Sequence, residues 1–189
     1  MSLTEIRIGG FGGQGVILCG MILGRAACIF DKKYATLTQS FGPEARGGAC
    51  AVQVIISEKP ILYPYVTQPN VLAVMSQAAA DKFVPEIRPG GCLIIEKDLV
   101  QFKAPPQKVN LHPVPATRIA EDIGRKIVQN IVMVGFITAV TQLLPPEAVH
   151  QSVRRSVPPG TETINLMAFD KGYEYGEKER KGLVDSFMV

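Results

Sequence analysis

The run Glu5-Ile-Arg-Ile-Gly-Gly-Phe-Gly-Gly-Gln-Gly-Val16 constrains this chain more than any other stretch, because it places four glycines and a glutamine within Gly10 to Gly15 between two apolar segments. Ile6 and Ile8 alternate with Glu5 and Arg7, the two-residue period of a short strand. Val16 to Phe30 is too long for one strand and suits a helix. The glycines therefore mark a strand-to-helix turn. Gly10-Phe11-Gly12-Gly13-Gln14-Gly15 satisfies G-x-G-x-x-G in the context that gives the pattern meaning. Residues without Cβ let backbone N–H groups face an anion, and the helix N-terminus adds partial positive charge. Such a turn can hold a phosphate, or it can be a purely structural bend. Gln14 brings a side-chain donor and acceptor that a minimal phosphate loop does not require, which hints at a second polar partner.

The same alternation predicts strands near Glu5–Gly9, Tyr34–Ser40, Ala49–Ser57, Val71–Ser76, Cys92–Glu96 and Val109–Val114. Helices are expected over Gly13–Phe30, Gln77–Val84, Ala116–Arg125, Ile131–Leu144, Pro146–Val153 and Thr161–Gly176. Strands alternating with helices argue for an α/β fold: a three-layer α/β/α sandwich, Rossmann-like, with a mostly parallel or mixed sheet. The two successive strands on either side of Pro43 could add an antiparallel member. No linker divides the 189 residues, so we expect one domain over 1–189, with a core of about 4–155 and a C-terminal helix or arm of about 160–189.

Two predicted helices lack a polar face. Ile131 to Leu144 is apolar nearly all round, and so is the helix after the glycine turn, whose Gly20 and Gly24 would allow close backbone approach. Each must be covered on more than one side, either by the rest of a sandwich core or by a partner subunit. The segment Asp170 to Gly182 is dense in charge of both signs and reads as a solvated helix or frayed tail, although Tyr173 and Tyr175 leave room for an arm that packs on a neighbour.

Composition removes several classes of function. A net charge of +3 is spread along the chain with few aromatics near it, which gives no support to nucleic-acid binding. The longest apolar run is broken by Arg25 and falls short of the roughly 20 residues of a membrane span. The four cysteines (Cys19, Cys28, Cys50, Cys92) form no C-x-x-C pair, so no iron–sulfur cluster or other metal site is expected. They resemble small buried hydrophobes, and together with the absence of a signal-like N-terminus they point to the cytoplasm. His112 and His150 lack ligand partners at zinc spacing. Ser40 has no histidine base near it for a hydrolase triad.

A dinucleotide needs more than the glycines: an Asp or Glu should end the second strand and bond the ribose. Here that strand ends in Thr38-Gln39-Ser40, and Asp31 lies before it. The loop that follows, Ser40-Phe-Gly-Pro-Glu-Ala-Arg-Gly-Gly48, is stiffened by Gly-Pro at one end and freed by Gly-Gly at the other. In an open α/β sheet this loop and the glycine turn should face one crevice, bringing Glu44 and Arg46 toward Gln14.

Together, the two loops resemble the gamma subunit of the thiamine-diphosphate-dependent 2-oxoacid:ferredoxin oxidoreductases, which act on pyruvate, 2-oxoisovalerate or 2-oxoglutarate. Val71 to Gln77, Gly90 to Ile95 and Asn130 to Gly135 match in order, so the resemblance covers about residues 4 to 155. It implies an oxidative decarboxylation in which a 2-oxoacid and coenzyme A yield acyl-CoA and carbon dioxide, with electrons passing to ferredoxin. It places thiamine diphosphate, magnesium and the iron–sulfur clusters on partner subunits: alpha, a thiamine-binding beta, and a ferredoxin-like chain. This chain has no G-D-G with paired Asn for the diphosphate, and should be inert alone, with no catalytic residue of its own. The Pro-Glu pair is more like the 2-oxoglutarate and 2-oxoisovalerate types than the indolepyruvate type, and Phe41 stands where tyrosine is common.

On that reading Gly10, Gly12, Gly13, Gln14, Gly15, Ser40, Glu44, Arg46 and Gly47 form a ligand- or interface-binding edge near the active site or the coenzyme A access route. Gly12, Gly13 and Gly15 offer amides to a phosphate or a partner's carboxylate, Arg46 pairs with an anion and Glu44 orients Arg46. The alternative is that Glu44 and Arg46 only brace their loop. Two other functions compete: a free-standing nucleotide-binding oxidoreductase and a ligand-free scaffold subunit. The isolated chain is further expected to be able to form a homodimer.

Overall fold

The computed structural model describes residues 3–42, 48–104 and 106–184. All six expected strands form, as β1 (Thr4–Phe11), β2 (Tyr34–Phe41), β3 (Ala49–Ser57), β4 (Val71–Val74), β5 (Cys92–Glu96) and β6 (Asn110–Val114). They make one sheet in the order β2-β3-β1-β4-β5-β6. β1, β4, β5 and β6 are mutually parallel, whereas β3 runs antiparallel to both β1 and β2. β3, not β2, neighbours β1 for a burial reason. Ala-Cys-Ala-Val-Gln-Val-Ile-Ile-Ser is rich in β-branched residues and buried on both faces, while Thr36, Thr38, Gln39 and Ser40 suit an edge.

The helices are α1 (Val16–Arg25), α2 (Gln77–Phe83), α3 (Ala116–Asp122), α4 (Gln129–Thr141), α5 (Pro146–Ser156) and α6 (Glu162–Arg180). α1 does not run unbroken to Phe30; it passes into a single π-turn at Ala26–Phe30 and ends at Asp31. α5 follows the usual rules for helix ends, with Pro146 at its start, Glu147 in the first turn and Arg154 and Arg155 in the last. The two helical layers are unequal. α1, α4 and α5 cover the face bearing Ile6, Ile8, Val52, Val54 and Ala73. The other face, with Leu72, Val74, Leu93 and Ile95, is closed by the short α2 and by Val100.

The apolar α4 is covered by its own chain. Every residue from Asn130 to Ala139 is buried, and α6 supplies the outer cover. A Cβ on Gly172 would stand 2.0 Å from the Val132 carbonyl oxygen, and one on Gly135 would stand 2.2 Å from that of Phe169, so the two backbones nearly touch. The charged C-terminal segment is thus half of what its composition suggests. Its outer face is solvated and carries pairs such as Lys178–Glu174 at 2.7 Å, while Phe169, Gly172, Tyr173 and Gly176 turn inward. Tyr173 and Tyr175 pack against the chain's own core instead of extending as an arm.

α1 is covered incompletely. A Cβ at Gly20 would lie 2.5 Å from Val52, the expected close approach to the sheet, but one at Gly24 would meet nothing within 4 Å. Among the described residues nothing stands over Gly24 where a side chain would be. Ser152 fixes α5 to α1 by donating to the Ile22 carbonyl at 2.7 Å.

Candidate functional site

β1 and β2 run in the same direction, so the bends after them emerge at one edge of the sheet. Phe11 pairs with Ala49 and Phe41 with Cys50, and the amide of Gly12 donates to the Gly48 carbonyl at 2.8 Å. Gly48, which follows the second loop, thus lies beside the glycine turn. Glu44, Arg46 and Gly47 lie outside the described residues, and exposed Ser40 sits beside Ala51 at the end of β2.

The glycine turn is built around Gln14. Its Oε1 accepts from the Phe11 amide at 2.7 Å, and its Nε2 donates to the Met75 carbonyl at 2.8 Å. The second polar partner that Gln14 implied is therefore the end of β4. Gly10 leaves room for this fold-back, since a Cβ there would stand 2.6 Å from Gln14 Oε1. Gly15 caps α1 in the left-handed region, φ 73, and a Cβ would collide with the Asn130 amide at 2.3 Å. It thereby lets the start of α4 press against the start of α1. Gly12 is corrected in one respect: its amide is engaged by Gly48 and does not face an outside anion. Exposed Gly13, φ 95, bounds the turn on its open side.

The electrostatics of the crevice follow from the helix ends. The first hydrogen bond of α1 runs from the Cys19 amide to the Gly15 carbonyl at 3.1 Å, so the amides of Val16 to Leu18 have no partner within the helix. Neither α1 nor α4 has an acidic residue in its first turn. The start of α1 therefore brings free amides and partial positive charge to the glycine turn, whereas α4 continues a 3-10 turn, Lys126–Val128, in which the Gln129 amide donates to the Lys126 carbonyl.

Among the described residues the parts of a dinucleotide site do not come together. β3 lies between β1 and β2, so the end of β2 is about 10 Å from the glycine turn, two strand spacings away. Asp31 ends the π-turn before β2 and pairs with Lys33 at 2.7 Å.

Other ionisable groups are held in structural roles. Glu96, fully buried at the end of β5, accepts from the Thr117 amide at 3.0 Å and the Asp98 amide at 3.3 Å, and burial pushes its pKa up. Thr117 lies in the first turn of α3, so Glu96 caps that helix from another strand, a role that no local sequence signal announces. His112 Nδ1 is 3.0 Å from Glu179 Oε1, joining β6 to α6. His150 Nε2 is 3.8 Å from Asp170. Cys19 and Cys50 are buried, Cys92 is half-buried and Cys28 is exposed. Among the described residues no three His, Cys, Asp or Glu side chains gather as a metal would need, and no helix is long and apolar enough to cross a membrane. Cysteines so dispersed do not fit an iron–sulfur cluster.

Comparison with known proteins adds to this geometry. Residues 5–175 match the family described as pyruvate ferredoxin/flavodoxin oxidoreductase. The chain is 49% identical to the 2-oxoglutarate synthase subunit KorC of Methanocaldococcus jannaschii over 176 residues, which is 92% of this chain and 94% of that one. It is 46% identical to the KorC subunit of Methanothermobacter marburgensis, over 90% of this chain and 95% of the relative. In structure it is similar to the keto/oxoacid ferredoxin oxidoreductase gamma subunit of Geobacter sulfurreducens, with a TM-score of 0.84, 37% identity, and coverage of 93% and 97% of the two chains.

Proposed function

The chain belongs to the pyruvate ferredoxin/flavodoxin oxidoreductase family as a gamma-type chain, and on that premise we propose that it serves an oxidoreductase complex whose 2-oxoacid is 2-oxoglutarate. The observation that carries the choice of substrate is identity of 46% and 49% to two KorC subunits across nine-tenths of the chain. The reaction is then 2-oxoglutarate, coenzyme A and oxidised ferredoxin to succinyl-CoA, carbon dioxide and reduced ferredoxin.

This chain's part is to hold and shape, not to react. Thiamine diphosphate, magnesium and the iron–sulfur clusters belong to alpha, beta and ferredoxin-like partners, in keeping with dispersed cysteines that suit no cluster. The edge formed by Gly10 to Gly15 and Ser40 to Gly48 meets a partner or an anionic part of coenzyme A. The start of α1, which has no acidic residue in its first turn, supports that reading. Gly10, Gly12, Gln14 and Gly15 fix the shape of the edge, and Gly13 keeps it open. Glu44, Arg46 and Gly47 are assigned to it on sequence alone: Arg46 would bind an anion in bidentate fashion, and Glu44 would orient it. The complex acts in the cytoplasm.

Calorimetry of the isolated chain and a pull-down from the native cell test this together. We expect a thiamine-binding partner to copurify and neither NAD nor FAD to bind. Micromolar NAD or FAD binding with no partner would replace the proposal with a free-standing oxidoreductase.

A further inference from the structure

The sheet has two edges, and they are finished differently. At the β6 edge, five residues long, Pro113 has no N–H to offer and His112 is tied to Glu179 of α6. At the other edge, β2 runs eight residues in unbroken register with β3. Tyr34-Ala-Thr-Leu-Thr-Gln-Ser-Phe41 contains no charge and no proline, and among the described residues no strand pairs with its outer side. Folded proteins guard exposed edges with charge, proline, bulges or short strands, because a bare row of amides and carbonyls recruits another strand. β2 has none of these guards; from the first helical segment the Cys28 thiol approaches its backbone, 4.0 Å from the Ala35 carbonyl.

Beside it lies an apolar groove of about 350 Å³, lined by Met21, Gly24, Cys28 and Ile29 of the first helix and its π-turn and by Leu37 of β2; Arg25 also borders it, with its guanidinium donating to Ser156 Oγ at 3.1 Å. Ile29 is 58% exposed and Leu37 37%. Gly24, open above its Cα, leaves the helix backbone accessible from this side.

We propose that β2 is the surface through which two copies of this chain associate, their β2 strands pairing antiparallel across a two-fold axis perpendicular to the sheet. An unpaired strand edge is complemented by extended backbone, which a helix or a small molecule cannot supply. An uncharged strand meets its own copy without repulsion, where a charged one could not. A two-fold axis normal to the sheet keeps both helical layers on the same side. The groove of one copy then faces the groove of the other, and Met21 and Ile29 are covered by the operation that pairs the strands. The groove lies along β2 and away from the glycine turn, so this surface meets the partner-facing edge only at Ser40 and Phe41.

Light scattering of the full chain across a micromolar concentration series tests the proposal. The expected mass rises to twice that of the chain, and labelling of the groove thiol Cys28 slows several-fold as the dimer forms. Leu37→Lys on the strand and Ile29→Asp on the groove wall should each return the chain to a monomer with unchanged circular dichroism. If the strand variant fails to fold, Ile29→Asp and the wild-type labelling rate still decide the question. A monomer at every concentration, including one that binds another subunit through β2, overturns the proposal. So does a dimer indifferent to both substitutions.

Discussion

The amide of Gly12 donates to the carbonyl of Gly48 across 2.8 Å, and this single bond joins two bends that are far apart in sequence. It continues the β1–β3 ladder one step beyond Phe11 and Ala49, so Gly48, where the chain enters β3, lies against the glycine turn.

Gln14 should be a stability residue. Gln14→Ala removes the acceptor of the Phe11 amide and the donor to Met75, and should cost about 1–3 kcal/mol in urea unfolding. A change within about 0.3 kcal/mol would show that the bridge between β1 and β4 carries no weight.

The α4–α6 crossing should tolerate no added methyl. In Gly172→Ala the new carbon would face the Val132 carbonyl, a backbone atom that cannot rotate away, so we expect a loss of about 3 kcal/mol or more, or detachment of α6. Lys171→Ala, one residue earlier on the exposed face, should stay within about 0.5 kcal/mol. Equal unfolding midpoints for the two variants would contradict the packing.

Glu96 predicts a pH dependence with a definite sign. Its carboxyl has a raised pKa in the folded state because burial disfavours the charge. The stability it contributes is complete below the ordinary carboxylate range and is lost as pH rises through the raised value. Glu96→Gln, which cannot ionise, should therefore gain on the wild type as pH rises from about 4 to about 7. Parallel stability curves for the two proteins would refute this.

Thiol reactivity should sort the cysteines by environment. Burial pushes the pKa of Cys19 up to about 12, and burial with the nearby Glu179 charge does the same for Cys92, so neither should react at neutral pH until the chain opens. Cys28, exposed in the single chain, should label first when the protein is dilute enough to be monomeric. Mass spectrometry of briefly labelled native protein checks the order, and early modification of Cys19 would count against the buried core.

Periodicity made the elements legible, because each strand and helix carries its own pattern: Ile6 and Ile8 on β1, Val52, Val54 and Ile56 on β3. The shared direction of β1 and β2 was legible as well, since strands in an open α/β sheet tend to run parallel. What covers α4 was not. Its burial was evident, but its partner was hidden in a segment whose many charges mask Phe169, Gly172, Tyr173 and Gly176 at helical spacing. Gln14 announced a polar partner, yet Met75 lies 61 residues away and contributes a carbonyl, which every residue has. Glu96 gave no sign of its cap because Thr117 is 21 residues distant, and His112 finds Glu179 67 residues on. Contacts of this kind depend on topology and leave no local spacing to read.

The central claim is tested most directly by ferredoxin reduction in the complex pulled down through this chain, assayed with coenzyme A and each of 2-oxoglutarate, 2-oxoisovalerate and pyruvate, with wild-type chain and with Arg46→Ala. The account predicts that 2-oxoglutarate is the preferred substrate, that coenzyme A is required, and that the variant complex assembles with impaired turnover. Preference for another 2-oxoacid, or full turnover by the variant, would contradict it.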